Sequence, residues 1–173
     1  MADTPTLLPR LKPFETAPDL HYPVLVPNLR GLQNLLSLRK QTGQALTNEI
    51  AIFIAASDSF SKANTHAPTS KIVAGLPPIF ELAAQQSPPL RVRAYISTVI
   101  SCPFEGRVEP QRVAELAEQM IQLGAYEISL GDTTGEGGVE EWKAVWKAVT
   151  DRIGTERVAA HVSPFPPCPY SSN

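Results

Sequence analysis

The chain has 173 residues, a formal net charge of −2 and a pI near 5.9, which suits one domain with a sizeable core and excludes a general attraction to nucleic acid or anionic membrane. No apolar run reaches the ~18 residues of a membrane span, and the amino terminus reads as neither a signal nor a transit peptide. Two cysteines, Cys102 and Cys168, are too few for a disulfide scaffold and point to a reducing compartment, so a soluble intracellular protein is expected.

Prolines are about twice their usual ~5% share and gather near both ends. Residues 1–20 are therefore predicted to be an irregular Pro-rich segment. Tyr22–Val26 reads as a short apolar strand ended by Pro27, with Asn28 just past it. Leu29, Leu32, Leu35, Leu36 and Leu38 then recur at largely helical spacing. Ile50–Ala55 is apolar almost throughout, as a strand buried on both faces should be, and Ser57 and Asp58 follow it. A helical region is predicted from about Ser70 to Gln86, kinked or split at Pro77 and Pro78 and ended by Ser87, Pro88 and Pro89. The third strand, Val92–Val99, leads into a loop, Ser-Cys-Pro-Phe-Glu-Gly, at 101–106. Pro110 has the place of a first-turn proline for an amphipathic helix over Gln111–Leu123, with Gly124 as its stop. A fourth strand, Glu127–Leu130, is predicted to break at Gly131 and deliver Asp132, Thr133 and Thr134 into a turn. A helix over about Val139–Ile153 and a fifth strand, Val158–His161, complete the pattern.

Strand-then-helix four times, plus a fifth strand, predicts an α/β fold of parallel (β/α) repeats. A barrel and a doubly wound sheet both fit, though no dinucleotide fingerprint or phosphate loop favours a nucleotide-binding sheet. Either architecture puts chemistry at the carboxyl ends of the strands. The polar residues fall there: Asn28, Ser57, Ser101, Glu105, Asp132, Thr133 and His161. Asp132 has two readings, a reacting acid or a cap for its own turn.

Four segments carry a resemblance: Tyr-Pro-Val-Leu-Val-Pro-Asn-Leu-Arg-Gly at 22–31, Ile-Phe-Ile-Ala-Ala-Ser at 52–57, Ser-Cys-Pro-Phe-Glu-Gly at 101–106 and Tyr-Glu-Ile-Ser-Leu-Gly-Asp-Thr-Thr-Gly at 126–135. With Val92-Arg93-Ala94-Tyr95, they resemble the hydroxymethylglutaryl-CoA lyases, metal-dependent relatives of the Claisen-type synthases. The resemblance implies a partial TIM barrel over 21–161 and cleavage of 3-hydroxy-3-methylglutaryl-CoA to acetoacetate and acetyl-CoA, in leucine degradation and ketone-body formation. It implies a divalent cation, Mg2+ or Mn2+, that polarises substrate oxygens and steadies the enolate left by carbon–carbon cleavage. The mitochondrial matrix is the compartment it implies, although the chain shows no targeting peptide.

Carried over position by position, the resemblance makes Asp132 the active-site acid. Asn28 and Ser57 become strand-end residues facing the substrate, and Arg93 a buried basic residue supporting the site, with a paired core arginine as the plainer reading. His161 matches the first metal-binding histidine of a His-x-His pair whose second position is Ser163. The family's metal-binding aspartate would precede residue 1 and its asparagine would lie past residue 173. One ligand of four is expected to hold no magnesium, so the isolated chain is expected to be inactive. Cys168-Pro169-Tyr170 echoes the family's catalytic cysteine loop too early, after Pro166-Pro167, and 162–173 reads as a divergent Pro-rich tail. Cys102 reads as a structural thiol, Glu105 as a loop partner, His21 and His66 as surface residues, and Trp142 and Trp146 as packing.

A complete barrel takes ~250 residues, so exposed sheet edges and instability are expected, with a homodimer as one conceivable remedy. A CoA-thioester substrate is the implied partner, with no nucleic acid and no membrane. Two alternatives stay open: a non-catalytic fragment or degenerate paralogue, and a relative of the homocitrate or isopropylmalate synthases. The 101–106 loop favours the lyase.

Overall fold

The computed structural model describes residues 23–43 and 47–162. The elements are β1 (Val24–Leu25), α1 (Leu29–Thr42), β2 (Glu49–Ala55), α2 (Asp58–Thr65), α3 (Thr69–Ala74), α4 (Pro77–Ala84), β3 (Arg91–Ser97), β4 (Ser101–Cys102), β5 (Gly106–Arg107), α5 (Pro110–Leu123), β6 (Glu127–Asp132), α6 (Val139–Ile153), a single 3-10 turn (Thr155–Arg157) and β7 (Val158–Val162). The main sheet has the order β1-β2-β3-β6-β7, parallel throughout, while β4 and β5 form a small antiparallel hairpin.

Strand register divides the residues between two faces. One face carries Ile50, Ile52 and Ile54 of β2, Val92, Ala94 and Ile96 of β3, and Ile128 and Leu130 of β6. These are buried with Ile79 and Phe80 of α4, Val113, Leu116 and Met120 of α5, and Val145 and Val149 of α6. Each such Ile, Leu or Met contributes ~1.5–3 kcal/mol by leaving water. The opposite parity sets Ala51, Phe53, Tyr95, Ser129 and His161 on the other face. Sequential strand order with the described helices packed against one face has no switch point, and this decides between the two architectures in favour of a barrel segment.

Local signals explain most elements. Asn28 caps α1 through Oδ1, which accepts from the Gly31 amide at 3.0 Å. Pro77 opens α4, so the predicted helix over 70–86 is split into α3 and α4, as the prolines demand. Helix α5 begins at Pro110 and ends on left-handed Gly124.

Several predicted boundaries are corrected. The first strand is only Val24–Leu25, although Val26 still donates to the Ala51 carbonyl at 2.8 Å. Ser57 starts a helix that sequence reasoning missed, α2, with Oγ accepting from the Phe60 amide at 3.2 Å. Strand β3 stops at Ser97 because Thr98 turns into the left-handed region, φ 57°. The 101–106 loop is a hairpin. Strand β6 does not break at Gly131; it continues through Asp132 because β7 pairs with it, Gly131 opposite His161 and Asp132 opposite Val162. Among the described residues no helix is long and apolar enough to cross a membrane. Ser163, Cys168 and His21 lie outside the described residues.

Candidate functional site at the carboxyl ends of the strands

A cavity of about 340 Å³ lies on the open face of the sheet, lined by Leu25, Phe53, Tyr95, Ser97, Ser129, Gly131 and His161 among others. It occupies the carboxyl half of β3, β6 and β7, where side chains of one parity converge. Its wall is apolar, with hydroxyls from Tyr95, Ser97 and Ser129 and the imidazole of His161 as its polar groups. A second cavity, about 630 Å³, shares Leu25 and Phe53 with the first and adds Asn28, Asn64 and His66.

Of the site residues expected from sequence, only His161 lines the first cavity; it is solvent-exposed at the end of β7. Asn28 lines the second while capping α1. Ser57 is buried: its Oγ caps α2 and donates to Cys102 Sγ at 2.9 Å. Asp132 has the parity of Ile128 and Leu130, is 1% exposed, and spends its carboxylate on its own loop. Oδ1 accepts from the Gly135 amide at 3.1 Å and Oδ2 from the Gly137 amide at 2.8 Å. Gly137 fits so closely that a Cβ there would stand 2.7 Å from Asp132 Oδ2 and 2.8 Å from Trp142 Nε1. The indole nitrogen of Trp142 is itself buried without a hydrogen-bond partner.

Arg93 lies four residues before the end of β3, ~13 Å below the carboxyl rim, in a charged layer. Its guanidinium pairs with Glu127, and Nη1 approaches the Tyr95 hydroxyl at 3.4 Å. Burial opposes its charge, but Tyr95 and Glu127 outweigh burial and raise its pKa. In the same layer Arg91 pairs with Glu49 at 3.1 Å and lies over the Tyr126 ring. Burial, with help from Glu49, pushes the Tyr126 phenol up to about 12.

Around the rim the 101–107 hairpin is fastened to two helices. Glu105 Oε1 accepts from the Ser59 amide at 2.7 Å, at the start of α2, and hydrogen bonds from Ser59 hold its carboxyl below the usual glutamate range. Arg107 Nη2 donates to Glu141 Oε1 at 2.6 Å, at the start of α6, and lowers that carboxyl too. Glu105 thus bonds beyond its own loop, and Cys102 is a buried thiol.

A divalent cation prefers several oxygen donors. At the cavity the described residues offer one imidazole and neutral hydroxyls, and Asp132 is committed to backbone amides. Among the described residues no group of three or more His, Cys, Asp or Glu could hold a metal. This donor set does not fit Mg2+ or Mn2+.

Sequence reasoning passed over Tyr95, Ser97 and Ser129. Their signal was strand alternation: Ile or Val at one parity marks the helix-packed face, so polar and small residues at the other parity face the cavity.

Residues 26–162 match the HMGL-like family, and the chain belongs to it. It is 37% identical over 144 residues to the 3-hydroxy-3-isohexenylglutaryl-CoA/hydroxy-methylglutaryl-CoA lyase of Pseudomonas aeruginosa, covering 83% of this chain and 45% of that one. It is 38% identical over 144 residues to the cytoplasmic 3-hydroxy-3-methylglutaryl-CoA lyase of Rattus norvegicus, covering 83% and 39%. Other relatives are named mitochondrial. The crystal structure of hydroxymethylglutaryl-CoA lyase from Pseudomonas aeruginosa superimposes with a TM-score of 0.74 at 36% identity, over 85% of this chain and 46% of that one. The chain therefore spans less than half the length of these relatives. The family is metal-dependent in general.

Proposed function

We propose that this chain forms the acyl-CoA-facing part of a carbon–carbon lyase of the 3-hydroxy-3-methylglutaryl-CoA type. The observation that carries the reading is the cavity at the carboxyl ends of β3, β6 and β7, with an apolar wall and four polar groups on one face. Carboxyl ends are where barrel enzymes build their sites. The hydroxyls of Tyr95, Ser97 and Ser129 are suited to hydrogen-bond the carbonyl and carboxylate oxygens of a hydroxy-acyl thioester. Leu25 and Phe53 shield its methyl and methylene carbons from water. His161 is the group that can accept or return a proton at its ring nitrogens.

In the cleavage this fold would serve, the substrate hydroxyl loses its proton, the carbon–carbon bond breaks to a ketone and a thioester enolate, and the enolate is protonated. The described residues orient such a substrate, yet they place no carboxylate in the cavity and their donor set does not suit the cation. The chain alone is proposed to bind the thioester without turning it over. Titration calorimetry with 3-hydroxy-3-methylglutaryl-CoA, with and without Mn2+, tests this beside an acetoacetate assay. Heat of binding without acetoacetate is the expected result. Turnover would overturn the non-cleaving part, and absence of binding would overturn the thioester reading.

A further inference from the structure

Thr98 is the one described residue that combines full burial, a β-branched side chain and a left-handed backbone, φ 57°. That conformation is an outlier for a branched residue, and such strain persists only where surrounding contacts enforce it. The contacts are on three sides. Thr98 Oγ1 accepts from the Ser57 amide, two residues past β2, at 3.3 Å. The same hydroxyl donates to the Ser97 carbonyl at 2.6 Å, and that carbonyl also receives the Ala56 amide at 3.0 Å. The Thr98 amide donates to Thr133 Oγ1, one residue past β6, at 2.8 Å. Ser57 carries the chain onward through Oγ to Cys102 Sγ in the hairpin. One residue thus ties the ends of β2, β3 and β6, and its turn sets where the cavity residue Ser97 stops.

We infer that Thr98 is a positioning residue, holding the strand ends of β2, β3 and β6 in the geometry that presents Ser97 and its cavity neighbours to ligand. The effect on ligand rests on the reading of that cavity as a thioester site; the tie between strand ends does not. A merely structural residue would lose stability while the chain that remains folded binds as before. A positioning residue weakens binding even by the folded chain: Thr98→Gly removes the hydroxyl that accepts the Ser57 amide, and the relieved backbone offsets only part of the stability lost.

The test uses the full chain and three variants: Thr98→Gly, Thr98→Val and Thr98→Ser. Hydrogen exchange at the Ser57 amide, thermal melting, and calorimetric binding of 3-hydroxy-3-methylglutaryl-CoA are measured on each. Exchange at Ser57 should accelerate about tenfold in the Gly and Val variants, the scale of one hydrogen bond lost, and stay within about twofold in Ser. Well below its melting midpoint, where the chain stays folded, Thr98→Gly should bind the thioester about tenfold more weakly than the parent chain. Unchanged Ser57 exchange in both Gly and Val variants would overturn the inference, as would a Gly variant that melts lower and binds normally. Should the parent chain bind no thioester, the cavity reading fails, and Ser57 exchange alone decides the role of Thr98.

Discussion

Strands β6 and β7 end side by side, and each presents an ionisable residue, Asp132 and His161. The two differ in what has already claimed them. Asp132 is on the helix-packed parity, buried, with both oxygens on the amides of Gly135 and Gly137. His161 is on the open parity, exposed, and lines the cavity. Position at a strand end is therefore not enough to make a residue available to ligand; a difference of one in strand parity separates a loop-building acid from a solvent-facing base.

Breaking the Asp132 side should give the largest effect. Asp132→Ala leaves two half-buried amides without their carboxylate acceptor and should cost ~2 kcal/mol of stability, read by urea denaturation, with the 133–137 segment losing exchange protection first. Asp132→Asn, which keeps Oδ1, should cost about half as much. Unchanged stability in the alanine variant would mean that the loop does not depend on this carboxylate.

Helix α5 was legible in the sequence because its signals are local: Pro110 at the start, Gly124 at the stop, and apolar residues at helical spacing between. The parallel sheet was legible from the alternation of strand and helix, which left a barrel and a doubly wound sheet both open. The end of β6 was not, because Gly131 reads as a breaker, while in the fold it pairs with His161 of β7 and stays extended. Helix α2 was missed because Ser57 and Asp58 have the composition of a polar strand end, while Ser57 is a cap. The parity of Asp132 depends on which face the helices cover, a tertiary fact. Family resemblance supplied candidate residues but not their packing, and nothing in a lone threonine announces the left-handed turn at Thr98.

A smaller effect sharpens the same contrast between claimed and available groups at the rim. The Glu105 carboxyl is depressed by its bonds to Ser59, so its contribution is fully present above the ordinary glutamate pKa of ~4.3. That contribution is lost as the pH falls through the lower, folded-state value. Glu105 is exposed, and solvent screening holds the change to ~0.5 kcal/mol or less. Protection of the Ser59 amide, its exchange taken relative to the intrinsic rate at each pH, should fall over that acid window in the parent chain and stay unchanged in Glu105→Gln. An equal acid response in both would place the titrating group elsewhere.

The smallest stability effect belongs to His161. Substitution by alanine should leave the melting midpoint nearly unchanged, within ~0.5 kcal/mol, while thioester affinity falls about tenfold. A variant that unfolds more readily but binds as before would assign His161 to the fold rather than to the cavity.

Sequential strand order also has a mechanical consequence. Among the described residues each strand is bonded only to its immediate predecessor and successor in the sheet, so no late strand is threaded between two early ones. Opening of such a sheet can proceed inward from either side, like peeling planks from the end of a fence. The two-residue β1 holds one margin, whereas seven residues of β2 face seven of β3 in unbroken register. Amide protection should therefore rise from β1 toward β2 and β3 and fall again toward β7, a gradient of local stability written into the connection order.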